Sequence, residues 1–320
     1  MHLRSKENWS GFRTIVSVVL ARLVVWVVLA CVELSTCSLK AEDNIKHSSW
    51  PEVSLDLMAL DHQNGPIRNL SPENVRVTEN GSPQTITKLS REDSPVSVCI
   101  LVDISTSMKP FADEERRDVA RIAQLANPQD EFCIVSFQFK AFMERGFTKD
   151  QPRILSALNS VEFGGATAYL DAIQATAKYM RQHASNDTRI MVIITDGGDN
   201  ASDLSSSKLA QDLAADGSML CVLAVAPKGD EGVHRGVGRT LRGSVEATGG
   251  LIFYANSSKQ MDAAMDQMSE AIRGRYKLTY TSTNVDRNGK MRSLEVKPLR
   301  TSGSVKMSLH VPKGYYAPSQ

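Results

Sequence analysis

The chain has 320 residues, 42% of them apolar and 23% charged, with a formal net charge of +1. That length suits one α/β domain plus a smaller accessory module, and the composition is ordinary for a chain that folds into packed cores. Residues 1–41 carry five basic and two acidic residues, a net +3 within the total of +1, so the remainder stands at −2 and offers no electrostatic case for nucleic acid.

Residues 1–41 read as a targeting segment. Arg4, Lys6 and Arg13 precede an apolar stretch from Ile15 to Val32 that only Arg22 interrupts. Its densest part, Leu23 to Cys31, has the length of a signal-peptide core. Three forms stay open: a cleaved signal, an uncleaved membrane anchor, and a lipoprotein. The stretch approaches the lower limit for spanning a bilayer, and Leu34-Ser-Thr-Cys37 loosely resembles a lipoprotein processing box. Each form predicts an exported body, in a periplasm, a cell envelope or the medium. Cys99, Cys133 and Cys221 sit inside apolar runs, show no metal-ligand spacing and predict core packing.

Three zones follow. Residues 48–94 form an N-terminal β segment in which Val53, Leu55 and Leu57 alternate with polar residues. Glu79-Asn80-Gly81-Ser82 supplies a hairpin turn there. Residues 95–274 change character: continuous apolar runs (Val96–Val102, Phe132–Phe137, Ile190–Ile194, Leu220–Val225, Leu251–Tyr254) alternate with helical stretches. Strands apolar on both faces need cover on both faces, which predicts a mostly parallel sheet with helices on either side. The predicted helices are Phe111–Leu125, Ala168–His183, Leu204–Ala215 and Ser257–Arg273. This is a doubly wound, Rossmann-like α/β architecture.

Residues 275–320 return to alternation at Tyr276–Tyr280, Leu294–Val296 and Val305–Leu309, and Asn288-Gly289 predicts another hairpin. Each β zone alone offers roughly three short strands, which is marginal in water. Together they predict one small β-sandwich shared between the N- and C-terminal segments.

In an open α/β sheet, ligands bind beyond the carboxyl ends of the strands. Three polar segments fall at such places. Asp103-Ile-Ser-Thr-Ser107 follows the first apolar run, Gly164-Gly-Ala-Thr167 enters a helix, and Thr195-Asp-Gly-Gly-Asp199 follows Ile190–Ile194. Their donors are all oxygens, with no His or Cys nearby. That set favours a hard divalent cation, Mg²⁺, Mn²⁺ or Ca²⁺, over zinc or copper. Two carboxylates leave such an ion under-coordinated, so water or a partner's carboxylate must complete its shell.

Asp103-x-Ser105-x-Ser107, then Thr167, then Asp196 resemble the metal-ion-dependent adhesion site (MIDAS) of von Willebrand factor A (VWA) domains and integrin I domains. The resemblance covers about Pro95 to Arg273, more than half of the chain. The flanking Ser-Arg-Glu-Asp and Gly-Tyr-Tyr-Ala segments are similar to those of a bacterial, acidobacterial-type subgroup. The resemblance implies a non-enzymatic adhesion or scaffold module. Ser105, Ser107 and Thr167 would ligate the metal through hydroxyls, and Asp103 and Asp196 directly or through water. A protein partner would then present an Asp or Glu to the ion. Thr106, Gly165 and Gly197, beside these residues, are the candidate partner-contacting positions, with Gly164-Gly165 supplying backbone freedom for a loop shift. Thr106 departs from the Gly common there, and Lys109 would slightly weaken cation affinity. Specificity would reside in loops around the metal, expected at 139–147 and 228–242.

Two other readings stand beside this one. An aspartyl phosphotransfer enzyme of the haloacid dehalogenase type also places an Asp after its first strand, but normally needs an acid two positions later, where this chain has Ser105. A scaffold whose metal site has lost partner binding would keep the same five residues. A serine hydrolase is not supported, since no G-x-S-x-G is present. His47, His62, His183, His234 and His310 are scattered and read as structural or surface residues.

Overall fold

The alternating residues after position 50 form four strands: β1 (Glu52–Asp61), β2 (Val75–Glu79), β3 (Ser82–Gln84) and β4 (Ile86–Arg91). They open the computed structural model, which describes residues 50–124, 126–227, 229–299 and 306–319. The targeting segment, with Cys31 and Cys37, lies outside the described residues. β2 and β3 join through Asn80 and Gly81, at φ 48° and 79°. A two-residue hairpin turn of this kind needs positive φ at both positions.

The apolar runs then alternate with helices. In chain order these are β5 (Val96–Asp103), a 3₁₀ turn (Thr106–Phe111) leading into α1 (Ala112–Gln124), β6 (Glu131–Phe137), β7 (Ala141–Thr148), α2 (Gln151–Ser156) and α3 (Tyr169–His183). After them come β8 (Thr188–Thr195), α4 (Ser206–Asp216), β9 (Met219–Val225), α5 (Glu231–Thr248), β10 (Ile252–Ala255) and α6 (Ser258–Arg273). The sheet runs β10-β9-β8-β5-β6-β7 and is parallel except for the edge strand β7.

Both faces are covered. Val98, Ile100 and Val102 share a core with Val119 and Ile122 of α1 and Met261 and Met265 of α6. On the opposite face Leu101, Val135 and Ile193 meet Ile173 of α3, Leu209 of α4 and Leu241 of α5. This is the doubly wound α/β architecture expected from the run pattern. Among the described residues no helix is long and apolar enough to cross a membrane.

The last strands are β11 (Tyr276–Thr281), β12 (Met291–Pro298), β13 (Met307–His310) and β14 (Gly314–Tyr316). They build two antiparallel sheets with the first four, ordered β13-β1-β11-β4 and β14-β12-β2-β3. Val53, Leu55, Leu57, Val77, Leu278 and Tyr280 form their common core. At its centre the buried Glu79 carboxylate accepts hydrogen bonds from Tyr280 (2.8 Å), Tyr315 (2.9 Å) and Ser282 (2.9 Å), and pairs with Arg292 at 3.2 Å. Met58 and Leu60 of β1 face the other way, into the core beneath α6.

Several local expectations fail for identifiable reasons. Asn288-Gly289 closes no hairpin, because β11 and β12 belong to different sheets and the segment between them crosses over. Residues 139–147, expected as a loop, mostly form β7, which pairs with β6 at the sheet's edge. Residues 228–242 lie largely in α5, whose four glycines mask its periodicity. Val237, Leu241 and Val245, four residues apart, seat that helix regardless of its weak propensity.

The three cysteines expected in the core are all buried there, and two of them are also joined to each other. Parallel register sets Cys99 opposite Cys133 with their Cα atoms 4.6 Å apart, and a disulfide joins them. Their 34-residue separation carries no pairing signal, whereas the strand register does. Cys221 is free and buried.

Candidate metal centre

Parallel pairing brings strand ends together. β5 lies between β6 and β8, with Asp103 opposite Phe137 and Val102 opposite Ile194. The loops after these three strands therefore leave one edge of the sheet. Asp103, the last residue of β5, is fully buried. Its Oδ1 accepts the backbone N–H of Ser105 at 2.9 Å, and its Oδ2 accepts the Thr195 hydroxyl at 2.5 Å. Ser105 Oγ lies 3.2 Å from Ser107 Oγ, and Ser107 Oγ donates to Asp196 Oδ1 at 2.9 Å. A continuous chain of contacts thus joins the two carboxylates through the two serines.

The loop before α3 docks by its backbone. Gly164 N–H donates to the Ile104 carbonyl at 2.8 Å, while the Thr106 N–H and hydroxyl both reach the Gly165 carbonyl, at 3.4 and 3.3 Å. Gly165 sits at φ 82°, and a Cβ there would stand 2.5 Å from Gln138 Oε1. Glycine is the residue that accepts this conformation without strain. Thr167 is held by the loop after β8. Its N–H donates to Asn200 Oδ1 at 2.8 Å, and its carbonyl accepts the N–H groups of Asn200 and Ala201 at 2.9 and 3.1 Å. A Cβ built on Gly197 would lie 4.0 Å from Thr167 Oγ1, so that hydroxyl borders the Asp196-Gly197 turn.

The five residues singled out as ligands, Asp103, Ser105, Ser107, Thr167 and Asp196, therefore gather at one sheet edge from three loops. Thr106, Gly165 and Gly197 border them, the first two exposed and Gly197 partly so. Lys109 is exposed as well.

Burial raises the Asp103 carboxyl to about 6, against the Thr195 and Ser105 hydrogen bonds that lower it. Asp196 is raised by the same cause, offset in part by Ser107. Among the described residues neither carboxylate forms an ion pair with a basic residue. Two buried carboxylates lined with hydroxyls and lacking a counter-charge suit a hard divalent cation. Among the described residues no cluster of three or more His, Cys, Asp or Glu could hold a metal ion unaided. The hydroxyls must therefore supply part of any shell.

Two further residues, Thr195 and Asn200, shape the site and stand outside the motif, and Glu115 lies in the helix that follows the first loop. Thr195 orients Asp103, and Asn200 fixes Thr167. Both are polar residues of the loop that carries Asp196, which is the signal they leave in the sequence. Glu115 leaves none. In the first turn of α1 it reads as an ordinary dipole-matching acid, yet it is 1% exposed and neither carboxylate oxygen has a hydrogen-bond partner. Burial first, then the charges of Asp103, Asp118 and Asp196, push its carboxyl well above the usual range.

Residues 98–198 match the family model of the von Willebrand factor type A domain. None of the curated proteins matches the sequence. Solved structures with a similar fold include BatB, a conserved hypothetical protein from Bacteroides thetaiotaomicron, 20% identical with a TM-score of 0.44 over 56% of this chain and 99% of that one. Proximal thread matrix protein 1 from the mussel byssus, with a zinc-occupied MIDAS motif, is 15% identical with a TM-score of 0.46, over 60% of this chain and 50% of its own. The pilus adhesin SpaC from Lactobacillus rhamnosus GG is 12% identical with a TM-score of 0.47, over 68% and 36%. Each is a distant likeness.

Proposed function

Because this chain carries a von Willebrand factor type A domain over residues 98–198, we propose that it is an exported, metal-dependent protein-binding module and not an enzyme. The observation that carries the reading is the contact chain from Asp103 through Ser105 and Ser107 to Asp196, whose buried carboxylates have no basic partner among the described residues. In this reading Ser105, Ser107 and Thr167 ligate Mg²⁺, Mn²⁺ or Ca²⁺ through their hydroxyls, and Asp103 and Asp196 bind directly or through water. The ion supplies an electrophilic open position for the Asp or Glu of a protein partner.

The chain's own groups preset this arrangement. Thr195 and the Ser105 amide fix the rotamer of Asp103, and Asn200 anchors Thr167. Thr106 ties the rim to Gly165. Beside that rim Phe139, Phe142 and Met143 are exposed at 53%, 40% and 43%, an apolar flank for a partner. Residues 1–41 act as signal, anchor or lipoprotein segment in this account. A fusion of residues 1–50 to a reporter active only after export checks that, and a cytoplasmic reporter refutes it.

The central test is thermal unfolding with Mg²⁺ or Mn²⁺ and with EDTA. An ion at about 100 times its Kd stabilises a fold by about 2.7 kcal/mol. Wild type should gain such a shift from millimolar cation, Asp103→Ala should lose most of it, and Ser105→Ala and Thr167→Ala part of it. Equal shifts in wild type and Asp103→Ala sink the assignment.

A further inference from the structure

Helix α1 follows without a break the 3₁₀ segment that contains Ser107, so its first turn is joined directly to the loop that carries Asp103, Ser105 and Ser107. Glu115 occupies that turn with 1% exposure and two carboxylate oxygens that no donor among the described residues reaches. An isolated buried carboxyl is costly whether charged or neutral, because either form leaves polar atoms unsatisfied. After burial, the charges of Asp103, Asp118 and Asp196 raise its carboxyl further, against the neighbouring Arg116, which lowers it. The acidic neighbours of Glu115 thus outweigh the basic one. Asp118, also buried without a hydrogen-bond partner among the described residues, adds to the charge around Glu115 but is itself influenced chiefly by Asp262, Arg117, Arg121 and Glu114.

We propose that Glu115 is a third carboxylate of the cation centre, lying outside the group of direct ligands and acting on the ion from behind Asp103 and Asp196. The proposal rests on the metal-binding reading above. Three acids that form no metal-holding cluster by themselves among the described residues still act on a shared ion together, since a divalent charge is felt strongly through a low-dielectric interior. Hydrogen bonds from ion-bound water would give the Glu115 oxygens the donors that the protein withholds. Carboxylates of this outer kind set both affinity and ligand orientation.

The experiment measures Mn²⁺ binding to the full chain, stripped of metal, by electron paramagnetic resonance, alongside thermal melts in EDTA. Glu115→Gln should raise the Mn²⁺ Kd by threefold or more, with about tenfold expected for an outer-shell partner, while the metal-free melting temperature stays level or rises. A Kd raised less than threefold overturns the inference. Should Glu115→Gln lower the metal-free melting temperature, Glu115→Met, which removes the orphaned oxygens altogether, is judged by the same threshold. Asp103→Ala separates the two levels of the argument. If wild type fails to bind Mn²⁺, or Asp103→Ala binds it equally well, the metal-binding reading falls and this inference with it. If Asp103→Ala loses binding while both Glu115 variants keep the wild-type Kd, the inference alone falls.

Discussion

Asp118 shows how a single buried acid shapes stability. Burial, then the nearby Asp262, raise its carboxyl from 3.8 to about 7, against Arg117 and Arg121. The folded state holds this proton more tightly than the unfolded chain does. The contribution of Asp118 to stability is therefore greatest below about pH 4 and is lost as pH rises through 7. Asp118→Asn should accordingly raise stability at pH 8 by roughly 1–4 kcal/mol and flatten its decline between pH 4 and 7. Denaturant titrations in EDTA at pH 5 and pH 8 read this out, and no gain at pH 8 refutes it. At Gly165, φ 82° is the constraint, since the Gln138 side-chain end that a Cβ would meet can move. Gly165→Ala should cost about 1–2 kcal/mol of backbone strain and weaken Mn²⁺ binding through the Thr106 contact. A variant as stable as wild type would show that this loop tolerates another conformation.

Among the elements, β5 does most to position the site, and its neighbours hold it on both sides. The Cys99–Cys133 disulfide ties it to β6 four residues before Asp103. Closing a loop of 34 residues corresponds to about 3–4 kcal/mol in the chain-entropy account. The double variant Cys99→Ala, Cys133→Ala should lose about 2–4 kcal/mol in a chemical melt, and reduction of wild type should lower its melting temperature in the same direction. Unchanged stability in both would show that strand packing alone fixes β5 against β6. The elements were legible in the sequence to unequal degrees. β5, β6, β8 and β9 are read directly from unbroken apolar runs, as are α3 and α6 from their periodicity. α5 is hidden by its glycines, and β7 is an edge strand whose Phe142 and Met143 remain exposed, so neither advertises burial.

For the whole molecule, the β strands of residues 52–91 and those of residues 276–316 meet in one sandwich. β11 lies between β1 and β4, and β12 between β14 and β2. We propose 95–274 as the metal-binding unit and 48–94 with 275–320 as the accessory one. Deleting 276–320 removes β11 and β13 from one sheet and β12 and β14 from the other, leaving β2 paired with β3 alone. Residues 50–91 should then become protease-sensitive, while the remaining chain still gains stability from Mn²⁺. Protection of 50–91 in the truncated chain would refute the shared module. The buried Glu79–Arg292 pair adds a narrower form of this test. Arg292→Met leaves the Glu79 charge without its basic partner and should cost about 3–5 kcal/mol in a chemical melt, and a cost under about 1 kcal/mol would show the pair to be peripheral.

What the sequence determines by itself is local: apolar runs, alternation, the Asn80-Gly81 turn, and the order of Asp103, Ser105, Ser107, Thr167 and Asp196 along the chain. Strand periodicity and turn chemistry are near-neighbour properties, so they survive in one dimension. The tertiary structure decides what depends on register and burial. It pairs Cys99 with Cys133, sends β11 and β12 into different sheets, and sets Asn200 against Thr167 across 33 residues. It also turns Glu115 from an ordinary first-turn acid into a buried carboxylate with no hydrogen-bond partner among the described residues. Charge and hydrogen-bonding capacity are written in the residue, but whether they are satisfied depends on which distant groups the fold brings within about 3 Å.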